Sequence, residues 1–433
     1  MAIQSLVIIL IVLLALLALG VPIAYSIGIS ALVVILQTVP LDVSVVTAAQ
    51  RIFVGMSKFS LTAIPFFILA GNLMNQGGIA KRLVDFVMAI LGKLPGALLV
   101  TNAGANALFG AISGSASAAA AAVGSMVREG EEEQGYEPAL CAATNGASAP
   151  SGLLIPPSNA LITYSLASGG TSVAALFLGG YIPGFLWALC CIIVGVILAK
   201  RKGYRGTEGK FNWKNLGTAT IRAIPALSLI VIVIGGIVSG IFTATEGSAI
   251  AVAYALILGV LYRNITLKSF WKIVVESAKM SGMVVFLIGT SNILGWVMAF
   301  LQIPQAVSAA LLGLTDNYVV ILLIMNVILL IAGTFMDVTP AILIFTPLFL
   351  PIVKTFGMHP VHFGLILVYN LCIGNITPPV GNTLFVAIKV GGTTLAKTIP
   401  YMVWYYIAIL IGLLLVTYVP FLSTGLPIAA GLI

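Results

Sequence analysis

Charge is scarce in this chain. Of 433 residues only 7% are Asp, Glu, Lys or Arg, against 60% hydrophobic residues and a mean hydropathy of +1.17. That composition cannot present a wettable surface on all sides, which excludes a soluble globule. No long polar or low-complexity stretch breaks the pattern, so a soluble domain or long linker is excluded too. Cysteine is limited to Cys141, Cys190, Cys191 and Cys372, with no CxxC spacing, which leaves them as small buried hydrophobes. Both histidines fall in "MHPVH" (358–362), a proline-containing loop without a thiol or carboxylate beside it, a poor setting for a metal. GxSxG, HExxH and the P-loop are all missing, and no His stands within a helical turn of a Ser and an acid. Catalysis has no starting point, and transport or conduction remains.

What the chain has in abundance is apolar length. Runs near the ~20 residues needed to cross hydrocarbon recur from end to end, beginning with "LVIILIVLLALLALGVPIAYSIGISALVVIL" (6–36), and lipid offers the backbone no partners, so the spans must be helical. The pattern predicts an all-α integral membrane protein of roughly ten to twelve helical segments, some short or broken. Residues 2–19 lack a basic n-region and run on into further apolar sequence, which predicts a retained first helix rather than a cleaved signal.

The few charges carry orientation. Residues 200–222 hold seven Lys/Arg against one Glu, and "RNITLKSFWKIVVESAK" (263–279) holds four more, so both loops are expected in the cytoplasm. The two apolar segments between them turn at "SGIFTATEGSA" (239–249), which then faces outside. Most of the net charge of +8 is therefore a topology signal; nucleic-acid binding would need a folded basic face that is absent.

The chain also repeats itself. "IPPSNALITYSLASGGT" (155–171) aligns with "TPPVGNTLFVAIKVGGT" (377–393) at an offset of 222, matching both prolines, Gly169 with Gly391, Gly170 with Gly392 and Thr171 with Thr393. Upstream, Gly152 falls on Gly374, whereas Gly146 falls on Val368. "GAISGSASAAAAAVG" (110–124) lies more loosely on "GTFMDVTPAILIFTP" (333–347) at an offset of 223, anchored by Gly110 on Gly333. Each half thus has a small or polar turn inside an apolar region, then a Gly/Pro-interrupted segment about 40 residues on. Paired interruptions of this kind point to a transporter's binding site, because broken helices expose carbonyls and half-helix termini near the midplane. Each half reads as a re-entrant helical hairpin followed by a broken helix.

A cation held without a carboxylate cage needs several neutral oxygens at one point, which unwound backbone and Ser/Thr hydroxyls supply. Proline helps by removing an N–H and displacing the carbonyl four residues earlier. In the first half Ser113, Gly114 and Ser115 are the candidate tip, with the break from Gly152 to Pro157. In the second the tip runs from Gly333 to Thr339 and the break from Gly374 to Pro379. Two Na⁺ sites, one per half, follow as an expectation. The competing reading is packing: small residues also let membrane helices approach closely, and "SASAAAAAVGS" (115–125), with Ser117 and Ser125, fits such a face. Pro156 and Pro157 taken alone could be a simple kink. Asp337 is an acid in an apolar neighbourhood, either binding a cation or solvated at a loop end. Glu246 reads as an interfacial cap, and "REGEEEQGYE" (128–137) as a solvated loop or a partner contact.

Several motifs in order, "FFILAGNLM" (66–74), "GAISGSASA" (110–118), "IPPSNALITYS" (155–165), "GIFTATEGSA" (240–249) and "GNITPPVGNTLF" (374–385), resemble the large membrane subunit of tripartite ATP-independent periplasmic (TRAP) transporters over nearly the whole chain. One departure is local: the family often reads TPTEA where residues 243–247 read TATEG. The resemblance implies a Na⁺-driven importer of an organic acid anion, of the sialic acid or four-carbon dicarboxylate type, in a bacterial inner membrane. It implies an inverted-repeat, elevator-type fold in which hairpins and broken helices slide against a scaffold. Scaffold helices would occupy residues 1–92, the first transport repeat 93–199, basic loops and scaffold helices 200–280, the second repeat 281–400 and a C-terminal helix 401–433. The implied partners are a separate small four-helix membrane subunit and a periplasmic substrate-binding protein. The implied sodium positions are Ser113, Ser115, Gly152 and Pro157, then Gly333, Gly374 and Pro379; Asp337 and Thr339 join from the residue-level reading. A single-component Na⁺/dicarboxylate carrier that works without a binding protein is the alternative.

Overall fold

Helices account for nearly all of the computed structural model, which describes residues 2–206, 213–315 and 317–433. Among these, 21 α-helices and one 3₁₀ turn follow one another, more than the sequence suggests, because several spans are cut into short pieces. Seven helices are long and apolar enough to cross a membrane, and the pair Leu41–Met56 and Phe59–Gln76, bent by 57°, makes an eighth candidate. The apolar side chains left on the surface, such as Phe53, Ile221, Val231 and Met283, suit a protein whose solvent is partly hydrocarbon.

Two expected loops prove helical. The stretch 263–279 is a loop only to Thr266, which opens the 34-residue helix Leu267–Phe300 with a capping box to Ser269. Lys268, Lys272 and Lys279 are therefore exposed on a helix, and only Arg263 stays on the turn before it. Similarly, residues 128–133 close the helix Ala116–Glu133, and Glu131 points inward instead of into water, 7% exposed. Arg128 pairs with Glu132 at one helical turn (2.6 Å), the spacing that brings such side chains together. The histidines also belong to a helix: His359 caps Pro360–Gly374, and His362 lies buried inside it against the Thr417 carbonyl (3.2 Å). Residues 207–212 of the basic loop lie outside the described residues.

Each half builds the expected pair of units. The first hairpin is Ala97–Ser113 and Ala116–Glu133; its broken helix is Pro138–Ser148, Ser151–Leu154 and Asn159–Ala167. The second hairpin is Tyr318–Phe335 and Val338–Thr355; its broken helix is Pro360–Gly374 and Asn382–Gly391. Both double prolines, Pro156-Pro157 and Pro378-Pro379, are joined by cis peptide bonds.

The hairpins open at opposite ends of the molecule. At the start of the helix Leu395–Tyr418, Tyr401 donates to Glu137 just past the first hairpin (2.6 Å). At its far end Tyr418 donates to the Val319 carbonyl at the entry to the second (2.8 Å). Seventeen residues of helix separate the tyrosines, roughly 25 Å.

The halves are also interleaved. The last limb of the first broken helix packs on the return arm of the second hairpin, and the last limb of the second packs on the return arm of the first. Arg128 of the first hairpin donates to the Val390 carbonyl, near the C-terminal end of the second broken helix, where the dipole favours a cation.

Candidate functional site

The first hairpin turns where the sequence places it. Gly114 adopts φ 62°, a left-handed conformation that costs a residue with a Cβ, and Ser115 then caps the return arm by accepting from Ala118 N (3.3 Å). The Ser113 hydroxyl donates to the Ser115 carbonyl (3.4 Å). Opposite the tip stands Asn159, the first residue after the break: a Cβ on Gly114 would lie 3.0 Å from its Nδ2. The Asn159 Oδ1 is buried without a hydrogen-bond partner. The tip and the far side of the break are thus brought together, with the Asn159 side-chain amide against Gly114.

The break itself is narrower than Gly152 to Pro157. Gly152 belongs to the single helical turn Ser151–Leu154, and the chain leaves helical geometry only at Ile155, where the two prolines lack N–H donors, before Ser158 starts the next limb. Gly152 has a different task, because its backbone touches that of Gly110, one turn before the tip. A Cβ on Gly110 would fall 2.6 Å from the Gly152 Cα. Pro157 lies in a tight apolar gap beside Ile112, with Phe67 and Val233 from other helices facing it.

The second half repeats this contact. Gly333 backs onto Gly374, so the two aligned glycine pairs, Gly110–Gly152 and Gly333–Gly374, occupy equivalent places. Gly333 lies inside Tyr318–Phe335, and Thr339 lies inside Val338–Thr355, so neither is at the turn. The tip shrinks to Met336 and Asp337, because the Asp337 carboxylate accepts from Val338 N (2.9 Å) and starts the return arm at once. Asp337 is exposed at this tip. The end of the first arm and the break are hydrogen-bonded: Val380 N donates to the Thr334 carbonyl (3.3 Å). Pro379 is exposed, in contrast with the buried Pro157.

Behind each tip sits an asparagine pair that the sequence reading did not single out. In the first half the Asn106 Nδ2 lies within hydrogen-bond reach of Asn102 Oδ1 (2.8 Å), Asn145 Oδ1 (3.0 Å) and Ser148 Oγ (2.9 Å), which share its two hydrogens, while Asn145 donates to the Ala120 carbonyl on the return arm (2.8 Å). In the second Asn370 donates to Asn326 (2.8 Å), and Asn326 to Thr417 (3.1 Å). Each pair joins a hairpin arm to its broken helix. An asparagine inside an apolar helix is the available signal, as in "TNAGANALFG" (101–110), since polar groups buried there need partners.

Glu246 and the cysteines are placed as expected. Glu246 completes a capping box with Thr243. All four cysteines are free, three of them buried and Cys190 half-buried. At the first hairpin's mouth Lys202 (2.7 Å) and Tyr401 both donate to Glu137, which holds its carboxyl below the usual range. Among the described residues no group of three His, Cys, Asp or Glu is placed to hold a metal.

Known proteins match this chain over nearly its full length. The family model of the tripartite ATP-independent periplasmic transporter, DctM component, matches residues 10–422. Uncharacterized protein YgiK of Salmonella typhimurium is 49% identical over 95% of this chain and 94% of its own length. The isethionate TRAP transporter permease protein DctMQ of Oleidesulfovibrio alaskensis is 41% identical over 93% of this chain and 63% of that protein. The C4-dicarboxylate TRAP transporter large permease protein DctM of Rhodobacter capsulatus is 36% identical over 97% and 98%. Among solved structures, the YdaH transporter of Alcanivorax borkumensis superimposes with a TM-score of 0.58 at 16% identity, covering 86% of this chain and 87% of that one, which indicates a shared fold. With its paired hairpins, paired breaks and a family match across both repeats, the chain belongs to the DctM family, the large permeases of TRAP transporters.

Proposed function

We propose that this permease imports an organic acid anion, of the sialic acid or four-carbon dicarboxylate class, driven by Na⁺ across a bacterial inner membrane. One observation carries the reading: two hairpins open at opposite ends, and each turns beside a proline break, the first with Gly114 against Asn159 and the second with the Thr334 carbonyl bonded to Val380 N. At the first tip Ser113, Ser115 and the unpartnered Asn159 Oδ1 supply cation ligands. Gly152 acts there by allowing close approach, and the prolines act by freeing carbonyls. At the second, Asp337 and the carbonyls between Gly374 and Pro379 do the same, with Thr339 one turn in and Gly333 as the packing counterpart.

Two relatives are named for isethionate and for C4-dicarboxylates, both small organic anions, which supports an anionic cargo. Transport follows an elevator movement: the interleaved hairpins and broken helices travel as one body against the scaffold segments 1–92 and 200–280. A small four-helix membrane subunit and a periplasmic binding protein complete the system. The energetics suit sodium. Each Na⁺ entering down ~100 mV and a roughly tenfold gradient releases about 3.7 kcal/mol, so two ions offset the ~2.3 kcal/mol cost of a monoanion and leave about 5 kcal/mol for accumulation.

Reconstituted uptake tests this. Ser115→Ala should weaken the Na⁺ dependence of uptake, and an unchanged dependence removes the first site. A vesicle that accumulates substrate without any binding protein turns the reading into the single-component carrier.

A further inference from the structure

A second place in the molecule suits an anion, and it lies away from both tips. Where the bent pair kinks, a cavity of about 330 Å³ opens between the long helix Leu267–Phe300 and the two repeats. Arg51 and Lys58 line it, with Ser291, Asn292 and Trp296 on the long helix and Leu343 on the return arm of the second hairpin. A neighbouring cavity of about 290 Å³ shares Lys58, Leu166 and Gly169 and reaches Ser60, Ser165 and Ala244.

The charge is one-sided. No acid lines either cavity, and among the described residues neither Arg51 nor Lys58 has a salt-bridge partner. Arg51 instead stacks over the Trp296 ring, 5.2 Å from its centre, which orients the guanidinium without neutralising it. Two uncompensated cations in one concave, partly apolar space raise the local concentration of anions. Ala244 belongs to the turn that the positive-inside rule assigns to the outside, so this crevice faces the compartment from which substrate arrives. Its walls come from both bodies of the proposed elevator.

We propose that Arg51 and Lys58 form an outer anion-binding site that takes the carboxylate of a small organic acid. Guanidinium and ammonium donate to the carboxylate, Asn292 offers a further hydrogen bond, and Trp296 covers the apolar part of the ligand. The site rests on the import reading for its physiological ligand, but not for its chemistry.

Acylation of Lys58 tests it in membranes containing the full chain, in Na⁺-free buffer, with N-hydroxysuccinimidyl acetate and mass spectrometry. Succinate or N-acetylneuraminate should slow acylation of Lys58 about tenfold, the scale of losing hydrogen bonds to a charged group, while a neutral diamide should not. Lys354, exposed elsewhere, should react equally with and without the acids. Arg51→Gln should abolish the protection and Arg51→Lys should keep part of it. Asn292→Cys, alkylated by iodoacetamide, is a second reporter on the opposite wall. Failure of both acids to protect either reporter, or equal protection of Lys354, overturns the proposal. Protection without Na⁺-driven uptake would instead retire the transport reading and leave the site standing, and uptake without protection would do the reverse.

Discussion

Gly110 and Gly152 leave no room for a carbon atom between their backbones, nor do Gly333 and Gly374. Gly110→Ala should therefore force the hairpin from its broken helix at a cost of about 1–3 kcal/mol, seen as a lowered Tm of the purified protein. Gly135→Ala, whose Cβ meets nothing but whose φ is 70°, separates steric crowding from backbone strain and should cost less. Asn145→Ala removes the two hydrogen bonds that tie its helix to both arms of the first hairpin, a loss of about 1–3 kcal/mol by the same measurement. The glycine pairs were half legible. Gly110 on Gly333 and Gly152 on Gly374 appear as repeat anchors in the sequence, but nothing there shows that one anchor touches the other. The asparagines were not read, because a single polar residue in an apolar run disturbs no periodicity.

At the scale of elements, the double prolines could be read directly, since a missing N–H is a property of the residue itself. Their surroundings could not. The first break is covered by other helices, whereas Pro379 and Val380 of the second are exposed, Val380 to 39%. Val380→Cys should react readily with a small maleimide in detergent, and Ser158→Cys, at a position with no exposed surface, should not. Equal reactivity would mean that the breaks are alike in cover as well as in backbone. The second tip was read too broadly because Gly333 looks like a turn residue. In the structure it is a contact residue, and Asp337 sets the turn by capping.

For the whole molecule, the positive-inside rule predicts that the basic segments 200–222 and 263–279 face the cytoplasm, and the tyrosines of Leu395–Tyr418 relate that end to the hairpins. Arg205→Cys should be modified only from the cytoplasm by an impermeant reagent, and Ile241→Cys only from outside. The Glu137 link to Lys202 and Tyr401 ties the end of the first hairpin to the helices Val173–Lys202 and Leu395–Tyr418. Because the folded carboxyl lies below its ordinary 4.5, its contribution is full above that value and is lost as pH falls through the folded one. The Tm gap between wild type and Glu137→Gln should accordingly be complete at neutral pH and close in acid. Membrane class and repeat order were plain from composition and self-comparison. The exchange of broken-helix limbs between repeats was not, since packing between distant segments leaves no mark on either one.

That exchange bears on ancestry. Each hairpin is completed by a helix limb from the other repeat, and the two hairpins open in opposite directions. A half of this chain on its own would have an empty groove and a limb with nothing to rest on. To fill both it would need a second copy inserted upside down in the same membrane, so the fused chain keeps, as covalent structure, the contacts of an antiparallel dimer.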